Sequence, residues 1–171
     1  MSGACDNRGV RIDVLPYDHP DAAALVAELQ LEYVVRYGQE DRTPVDPAQF
    51  APPHGLFVVG YHGGRPVACG GWRVRRGSDG PEAELKRMYV SPAARGRGAA
   101  RAVLAELERT AVAAGHNRMV LETGLRQPEA IALYSSAGYL EVPHFGYNAE
   151  APEAVHLGKT ITEEPSCPSM P

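Results

Sequence analysis

Polar and apolar residues alternate over residues 10–14, which is the period of a strand with one buried face. From Pro20 to about Tyr37 the apolar residues instead recur at helical spacing, so the sequence predicts a helix there. We expect Asp18 to cap the start of this helix and Gly38 to end it, because these residue types suit the unpaired backbone groups at helix ends.

A hairpin is predicted next. Residues 56–61 and 66–75 have the composition of strands on either side of a tight Gly63-Gly64 turn. The Gly70-Gly71 pair inside the second strand indicates a bulge or a close approach to the backbone. The following strand, over residues 84–90, ends at a Ser-Pro pair, because proline cannot donate to the strand ladder.

The second half of the chain alternates helices with strands. Helices are predicted over 98–114 and 128–138, and strands over 119–122, 139–142 and 154–159. Strands that are separated by helices tend to pair in parallel, whereas hairpin strands pair antiparallel. The sequence therefore predicts an α/β (α+β) fold with a mixed sheet.

Length and composition indicate one domain. The chain has 171 residues, of which 44% are hydrophobic, and this is sufficient for a single core. We expect residues 9–160 to form the domain, with a flexible N-terminus over 1–8 and a flexible tail over 161–171. Residues 39–53 are polar and contain four prolines, which predicts a loop with one turn at 47–50.

The chain lacks the sequence signals of membrane, secreted and metal-binding proteins. No apolar run approaches the roughly 20 residues of a membrane helix, and the N-terminus has no apolar signal segment. The three cysteines form no Cys-x-x-Cys pair and the six histidines are scattered, so we expect neither a disulfide framework nor a metal site. These features favour a cytoplasmic protein that does not associate with a membrane.

Basic residues cluster in one part of an acidic chain. The chain has 17 basic and 21 acidic residues, yet the segment from Lys86 to Arg101 contains five basic residues and no acidic one. Such a local patch predicts a site for a small, multiply charged anion. Nucleic acid would need a basic stripe along a whole face, so we expect no nucleic-acid partner.

The centre of this patch is a glycine-containing segment that leads into the predicted helix at 98–114. Gly96 and Gly98 let the backbone approach a ligand, and the first N–H groups of the helix carry partial positive charge, so the segment predicts a phosphate site. The Gly-Lys-Ser/Thr of a P-loop is absent, since Ala-Ala-Arg follows Gly98. A dinucleotide-binding fingerprint is also excluded, because Arg101 stands in place of its third glycine.

Two segments instead resemble the GCN5-related N-acetyltransferase (GNAT) superfamily. Arg95, Gly98 and Ala100 fit the pattern Arg/Gln-x-x-Gly-x-Gly/Ala of its acyl-CoA loop. Residues 127–139 are similar to the downstream signature Asn-x-x-Ala-x-x-Leu-Tyr followed by a Gly-aromatic pair, with Gln127 where Asn is usual. The matching residues are Ala130, Leu133, Tyr134, Gly138 and Tyr139.

The resemblance implies a fold and a cofactor, acetyl-CoA. The GNAT fold is a mixed, mostly antiparallel sheet of about six to seven strands with about four helices and a splayed parallel pair of strands at the acyl-CoA site. The end of the central strand would contact the thioester or pantetheine, and the loop would hold the diphosphate. The implied cofactor-binding residues are Met88, Tyr89, Val90, Arg95, Gly96, Arg97, Gly98, Ala99, Ala100, Arg101, Gln127, Ala130 and Tyr134.

The resemblance also implies catalytic and acceptor-binding residues. Tyr134 matches the usual general acid, and a phenol with a reference pKa of about 10 is protonated at neutral pH. Members of the family often place a basic carboxylate in the central strand, which points to Glu84. Glu82 lies on the same face of a regular strand, and proton transfer through water or without a base stays open. Tyr33, Tyr37 and Glu84 are the expected acceptor-binding residues.

These features lead to an expected function, that of an acetyl-CoA-dependent N-acetyltransferase acting by direct transfer in a ternary complex. The acceptor would be a primary amine of a small molecule, a peptide or a protein, and the acidity of the chain outside the loop favours a cationic small molecule. We expect a monomer or a homodimer. A non-catalytic acyl-CoA-binding sensor on the same fold is the alternative. A nucleotide-binding regulatory module is a third possibility, because ATP and CoA share adenine and phosphates.

Overall fold

A seven-stranded sheet runs through the domain in the computed structural model, which describes residues 9–163. Its strand order is β1-β2-β3-β4-β5-β7-β6. The strands are β1 (Arg11–Val14), β2 (Gly55–His62), β3 (Arg65–Gly77), β4 (Gly80–Val90), β5 (Arg118–Gly124), β6 (Leu140–Glu141) and β7 (Ala154–Thr160). The helices are α1 (Pro20–Tyr37), α2 (Ala99–Ala113) and α3 (Pro128–Ser136), with 3-10 turns at Pro47–Phe50 and Pro92–Ala94.

The strand pairing confirms the prediction of a mixed, mostly antiparallel sheet. β4 and β5 run parallel, and the other neighbouring strands run antiparallel. Three α-helices flank the sheet in the described chain, rather than about four. Between α1 and β2, the proline-rich residues 39–53 form only a single 3-10 turn, which is capped by the side chain of Asp46.

Helix α1 begins at Pro20, as predicted, but a different residue caps it. The cap is His19 rather than Asp18, and His19 Nδ1 accepts a hydrogen bond from the Asp21 N–H at 3.2 Å. Because Pro20 suits the first helical position, the residue immediately before it becomes the cap. Gly38 ends the helix with a left-handed φ of 77°, as predicted.

Apolar side chains form one core on each face of the sheet. Neighbouring residues of β2 alternate between the two cores: Val58 lies in the core under α2, and Phe57 and Val59 lie in the core under α1. Trp72 Nε1 donates to Thr110 Oγ1 at 2.9 Å, which ties β3 to α2. Helices α1 and α2 therefore cover opposite faces of the sheet.

The pairing of β3 with β4 contains the bulge that the Gly70-Gly71 pair predicted. Gly70 lies opposite two residues of β4, Arg87 and Met88, and Arg87 has a left-handed φ of 60°. A Cβ at Gly70 would lie 2.6 Å from Met88 Sδ, so this close approach requires glycine. Lys86 faces the α1 side of the sheet by regular alternation, and the extra residue directs the Arg87 side chain to the same side.

The domain extends slightly past β7. Ile161 is buried in the core under α2, and its N–H donates to the Asn117 carbonyl at 2.9 Å. The predicted flexible tail therefore begins too early, because this apolar residue fills space in the core. Residues 1–8 and 164–171, to which the rest of that prediction applies, lie outside the described residues.

Candidate active site

The central sheet opens between its two parallel strands. β4 and β5 form only three residue pairs, the last of which is Leu85-Leu121. Within the described residues, β4 and β5 form no further residue pairs beyond Leu85-Leu121, although β4 continues to Val90 and β5 to Gly124. The opening lies at the carboxyl ends of parallel strands, where ligands commonly bind in sheets with this connectivity. Two cavities meet at this opening.

The smaller cavity, of about 320 Å³, lies beside the segment that precedes α2, and we call it the loop cavity. Its walls are the end of β4, the start of α2, one side of α3 and, from α1, Leu29 and Glu32. The carboxylates of Glu32 and Glu129 on these walls both form ion pairs with Arg36. Every cofactor-binding residue predicted from the sequence, except Arg97, lines it. These lining residues are Met88, Tyr89, Val90, Arg95, Gly96, Gly98, Ala99, Ala100, Arg101, Gln127, Ala130 and Tyr134.

The start of α2 presents backbone donors to the loop cavity. Gly98 occupies the cap position with a left-handed φ of 82°, and no side chain caps the helix. The first turn contains no acidic residue, so no carboxylate within it offsets the partial positive charge of the helix end. Gly98, Ala99 and Ala100 line the cavity, and this arrangement favours an anion such as phosphate.

The arginines near this helix end are less available to a ligand than the sequence suggests. Arg95 Nη2 donates to Glu32 Oε2 at 2.6 Å, and Arg95 Nε donates to the Val90 carbonyl at 2.9 Å. Arg101 Nη2 donates to Ser136 Oγ at 2.7 Å. The backbone donors at the start of α2 are therefore more available to a ligand than the Arg95 and Arg101 side chains.

The larger cavity, of about 520 Å³, lies on the α1 side of the opening, and we call it the strand cavity. Four separate stretches of the chain contribute to its walls: the end of α1 with residues 39–42, the end of β4, the end of β5 with one side of α3, and residues 147–154. Tyr33 and Tyr37, two of the predicted acceptor-binding residues, line it with their ring centroids 6.3 Å apart.

Tyr134 lies at the junction of the two cavities. It lines both of them, as do Met88, Gln127 and Ala130. The Tyr134 ring packs edge to face against Tyr139, with centroids 5.7 Å apart. Burial raises the pKa of the Tyr134 phenol, so the hydroxyl stays protonated at neutral pH. A phenol in this position has a proton to donate toward either cavity.

Two buried cations of β4 line the strand cavity rather than the loop cavity. The side chains of Lys86 and Arg87 are only 7% and 4% exposed. In the sequence they belong to the basic patch that extends to Arg101. Lys86 faces α1 by regular alternation along β4, and the bulge turns Arg87 to the same side. Arg87 forms an ion pair with Asp41. Burial alone would raise the pKa of Asp41, but Lys86 and Arg87 lower it below its usual value.

Glu122 lies on the facing wall, near the end of β5. Its Oε1 accepts a hydrogen bond from Asn148 Nδ2 at 2.7 Å, and its Oε2 lies 3.7 Å from His156 Nε2. Burial raises the pKa of Glu122, and the nearby Lys86 and Asn148 only partly oppose this effect. Burial lowers the pKa of His156, so this ring is neutral at pH 7. A carboxylate with a raised pKa is suited to accept a proton near neutral pH.

Glu84, the base predicted from the sequence, lines neither cavity. Its Oε2 accepts a hydrogen bond from Arg73 Nε at 3.1 Å, and its Oε1 lies 3.9 Å from Lys86 Nζ. Glu82, the other carboxylate on this face of the strand, forms ion pairs with two arginines. In the structure, both glutamates hold basic side chains of the sheet, and neither reaches a cavity surface.

Sequence reasoning missed Asp41, Glu122 and Asn148 as site residues. Asp41 belongs to a polar loop and Asn148 to a segment without periodicity, so no pattern marks either of them. Glu122 left one signal, because it directly follows the apolar residues 119–121 of a strand. A charged residue there must face either a partner or a cavity.

Residues 9–163 lack the features of a membrane span and of a metal centre. The described helices include none with the length and apolar character needed to cross a membrane. The same residues contain no group of three or more His, Cys, Asp and Glu side chains that could hold a metal ion.

Comparison with known sequences agrees with this geometry. Residues 22–139 match the model of the acetyltransferase (GNAT) family. The IAA acetyltransferase of Azospirillum brasilense is 33% identical over 137 residues, which are 80% of this chain and 88% of that protein. The uncharacterized N-acetyltransferase YjgM of Escherichia coli is 31% identical over 134 residues, covering 74% of this chain and 79% of that protein.

Solved structures share the architecture. A candidate acyl-CoA N-acyltransferase from Klebsiella pneumoniae has a TM-score of 0.74 at 26% identity, covering 91% of this chain and 99% of that one. The IAA acetyltransferase of Bacillus cereus has a TM-score of 0.66 at 17% identity, covering 89% of this chain and 99% of that one, and supports the fold alone. The fold class predicted from the sequence is confirmed.

Proposed function

The chain belongs to the GNAT family of acetyltransferases and is an acyltransferase, and we propose that it transfers an acetyl group from acetyl-CoA directly to a primary amine. The observation that carries this proposal is that Tyr134 borders both cavities. The loop cavity takes acetyl-CoA and the strand cavity takes the amine. Transfer occurs at the opening between β4 and β5, in a ternary complex.

The loop cavity fits the diphosphate of CoA. The start of α2 supplies backbone donors, and no acidic residue of its first turn repels a phosphate. Charge-assisted hydrogen bonds are worth about 1.5–3 kcal/mol each, so two or three of them account for much of the affinity. Bound acetyl-CoA supplies the acetyl thioester whose carbonyl carbon the amine attacks.

The diverging end of β4 supplies further backbone donors. Past Leu85, the edge of β4 that faces β5 has no partner in the described sheet. Backbone N–H groups on this edge, between Met88 and Val90, donate to the acetyl carbonyl or to the pantetheine. Donors fixed in a strand stabilise developing negative charge without having to reorganise.

Tyr134 acts as the general acid. Its raised pKa keeps the hydroxyl protonated throughout the neutral range, so the phenol is ready to protonate the departing sulfur. The Tyr134-Tyr139 ring contact holds the phenol in place at the junction of the cavities. The proton that Tyr134 gives up is replaced from solvent after the product leaves.

Glu122, rather than Glu84, accepts the proton that the amine must lose. Glu122 lines the strand cavity, and its pKa is raised by burial. The hydrogen bond from Asn148 fixes the orientation of the Glu122 carboxylate. Glu84 instead binds Arg73, and neither of these residues lines a cavity.

A thiol-release assay with acetyl-CoA and a panel of primary amines tests the proposed function. We expect amine-dependent release of CoA, together with an acetylated amine that is identified by mass spectrometry. Binding of acetyl-CoA without amine-dependent release would contradict transfer and favour the sensor. ATP binding as tight as that of acetyl-CoA would favour the nucleotide-binding module.

A further inference from the structure

Two pairs of buried charges near the strand cavity are neutral as units. Arg87, whose side chain is 4% exposed, forms an ion pair with Asp41. Arg73 Nε donates to Glu84 Oε2 at 3.1 Å. Each pair combines one positive and one negative charge, so neither pair leaves a charge for a ligand to balance.

Lys86 and Glu122 are different, because within residues 9–163 neither has an oppositely charged partner at hydrogen-bond distance. Lys86 Nζ lies 3.9 Å from Glu84 Oε1, and that carboxylate is already bound by Arg73. Glu122 accepts a hydrogen bond from the neutral amide of Asn148. Lys86 lies near the carboxylates of Glu84, Asp41 and Glu122, yet no hydrogen bond to them occupies its N–H donors within the described residues. A ligand carboxylate that accepts these hydrogen bonds would therefore be favoured.

These two groups occupy equivalent positions on either side of the opening. Leu85 and Leu121 form the last pair of β4 with β5, and both belong to the core under α2. Lys86 and Glu122 follow them directly, so both side chains point to the other face and line the strand cavity. The cavity thus presents a cation and a carboxylate at the same level on two diverging strands.

We propose that the amine acceptor also carries a carboxylate, which binds the Lys86 ammonium while the amino group faces Glu122. The acceptor is therefore an amino acid or another small amino carboxylate, and Lys86 determines this specificity. The inference rests on the proposed function, because it names the acceptor of the same reaction. It replaces the expectation of a purely cationic acceptor, since the net charge of the chain is not the charge of this cavity.

Matched acceptor pairs that differ only in the carboxylate test this inference. L-Amino acids are compared with their own primary amides, and ω-amino acids are compared with alkylamines of the same length. The ammonium group of an amino acid amide has a lower pKa than that of its parent amino acid, so more of the amide is neutral near pH 7. Because only the neutral amine attacks, this difference alone would make the amide the better acceptor. We expect kcat/KM to be roughly 30-fold higher for the preferred amino acid than for its amide, the effect of one buried charge pair.

Replacement of Lys86 identifies the residue responsible. In Lys86→Met we expect kcat/KM for the amino acid to fall roughly 30-fold, while that for the amide changes less than about threefold. Lys159→Met is the matched control, because Lys159 is the only other lysine of the chain and binds Glu108 at 3.0 Å, outside both cavities. Butyrate, a carboxylate without an amine, should compete with the acceptor in the wild type and not in Lys86→Met.

The possible failures are distinguishable. Equal kcat/KM for acid and amide, or an acid preference that persists in Lys86→Met, would overturn the inference and leave the proposed function standing. If no amine is acetylated while acetyl-CoA binds, both are overturned. If Lys86→Met does not fold, the wild-type ratio of acid to amide and the competition by butyrate decide the question: a ratio near one without competition overturns the inference.

Discussion

The loop cavity and the strand cavity are built in different ways. Much of the loop cavity comes from one continuous segment, residues 88–101, with α1 and α3 closing the other sides. The strand cavity instead combines four parts of the chain, of which residues 39–42 and 147–154 lie more than a hundred positions apart. A site made by local backbone geometry leaves a motif in the sequence, whereas a site made by tertiary contacts leaves only scattered residues.

Charge separates the two cavities as well. The Arg95 side chain at the loop cavity is 40% exposed, whereas Lys86 and Arg87 in the strand cavity are 7% and 4% exposed. Exposed charges interact weakly with their partners because water screens them, and buried charges must be balanced by specific partners. The basic patch of the sequence therefore divides into an exposed group at the loop cavity and a buried group at the strand cavity.

Tyr134 borders both cavities, and its substitution should give the largest loss of activity. In Tyr134→Phe we expect kcat to fall roughly 10²–10⁴-fold, because the leaving sulfur loses its proton donor. The Kd for acetyl-CoA should change little, since the ring remains. Steady-state kinetics and calorimetry on the same sample measure both quantities.

Tyr139→Phe is the matched control for Tyr134→Phe. The Tyr139 hydroxyl donates to Glu108 at 2.9 Å, and Tyr139 lines neither cavity. Its loss should lower the free energy of unfolding by about 1 kcal/mol and leave kcat unchanged. An unchanged kcat in Tyr134→Phe would assign that residue a purely structural role.

The comparison of Glu122→Gln with Glu84→Gln tests which carboxylate is the base at the strand cavity. We expect Glu122→Gln to lower kcat roughly 10²-fold or more. Because burial raises the pKa of Glu122, the wild-type rate should rise with pH through a pKa above the ordinary carboxyl range, and this rise should disappear in the variant. Loss of the rise in Glu84→Gln alone would return the base to Glu84.

The buried pair of Arg87 with Asp41 gives a test on stability rather than activity. Asp41→Asn leaves Arg87 without a charged partner and should lower the free energy of unfolding by about 2–3 kcal/mol. Arg97→Ala, on the exposed loop, should change it by less than about 0.5 kcal/mol. Chemical denaturation measures both free energies of unfolding. Equal changes in the two variants would contradict the distinction between a buried and an exposed group of charges.

The same pair predicts how stability depends on pH. The carboxyl of Asp41 has a lowered pKa in the folded chain because of Lys86 and Arg87. Its contribution is therefore fully present above the ordinary carboxyl range and is lost as the pH falls through the lowered pKa. The wild type should lose this part of its stability in acid, and Asp41→Asn should not.

Most of the fold could be predicted because its signals are local. The Gly63-Gly64 turn, the turn at Pro47–Phe50 and the end of α1 at Gly38 agree with the structure. Each of these depends on residues that are neighbours in the chain. The tail was misjudged at Ile161, because one apolar residue after a strand carries no periodic signal and is buried only through tertiary packing.

The candidate site was predictable only on its loop side. Nearly all residues predicted around the helix start of α2 line one cavity, since a helix end and its glycines determine where the donors point. Glu122 and the orientation of Arg87 were not predictable in the same way. The first depends on where β5 leaves β4, and the second on the bulge at Arg87, which reverses the alternation of side chains along β4.

The measurement that tests the division between the two cavities most directly is calorimetric titration of acetyl-CoA into the wild type, Gly98→Asp and Lys86→Met. Gly98→Asp places a carboxylate where we propose the phosphates bind and should raise Kd roughly 10–100-fold. Gly64→Asp, with a similar left-handed φ of 77° in an open turn, controls for backbone strain. Lys86→Met should leave Kd within about threefold of the wild type. Equal weakening by Lys86→Met, or none by Gly98→Asp, would contradict the assignment of the loop cavity to acetyl-CoA and the strand cavity to the acceptor.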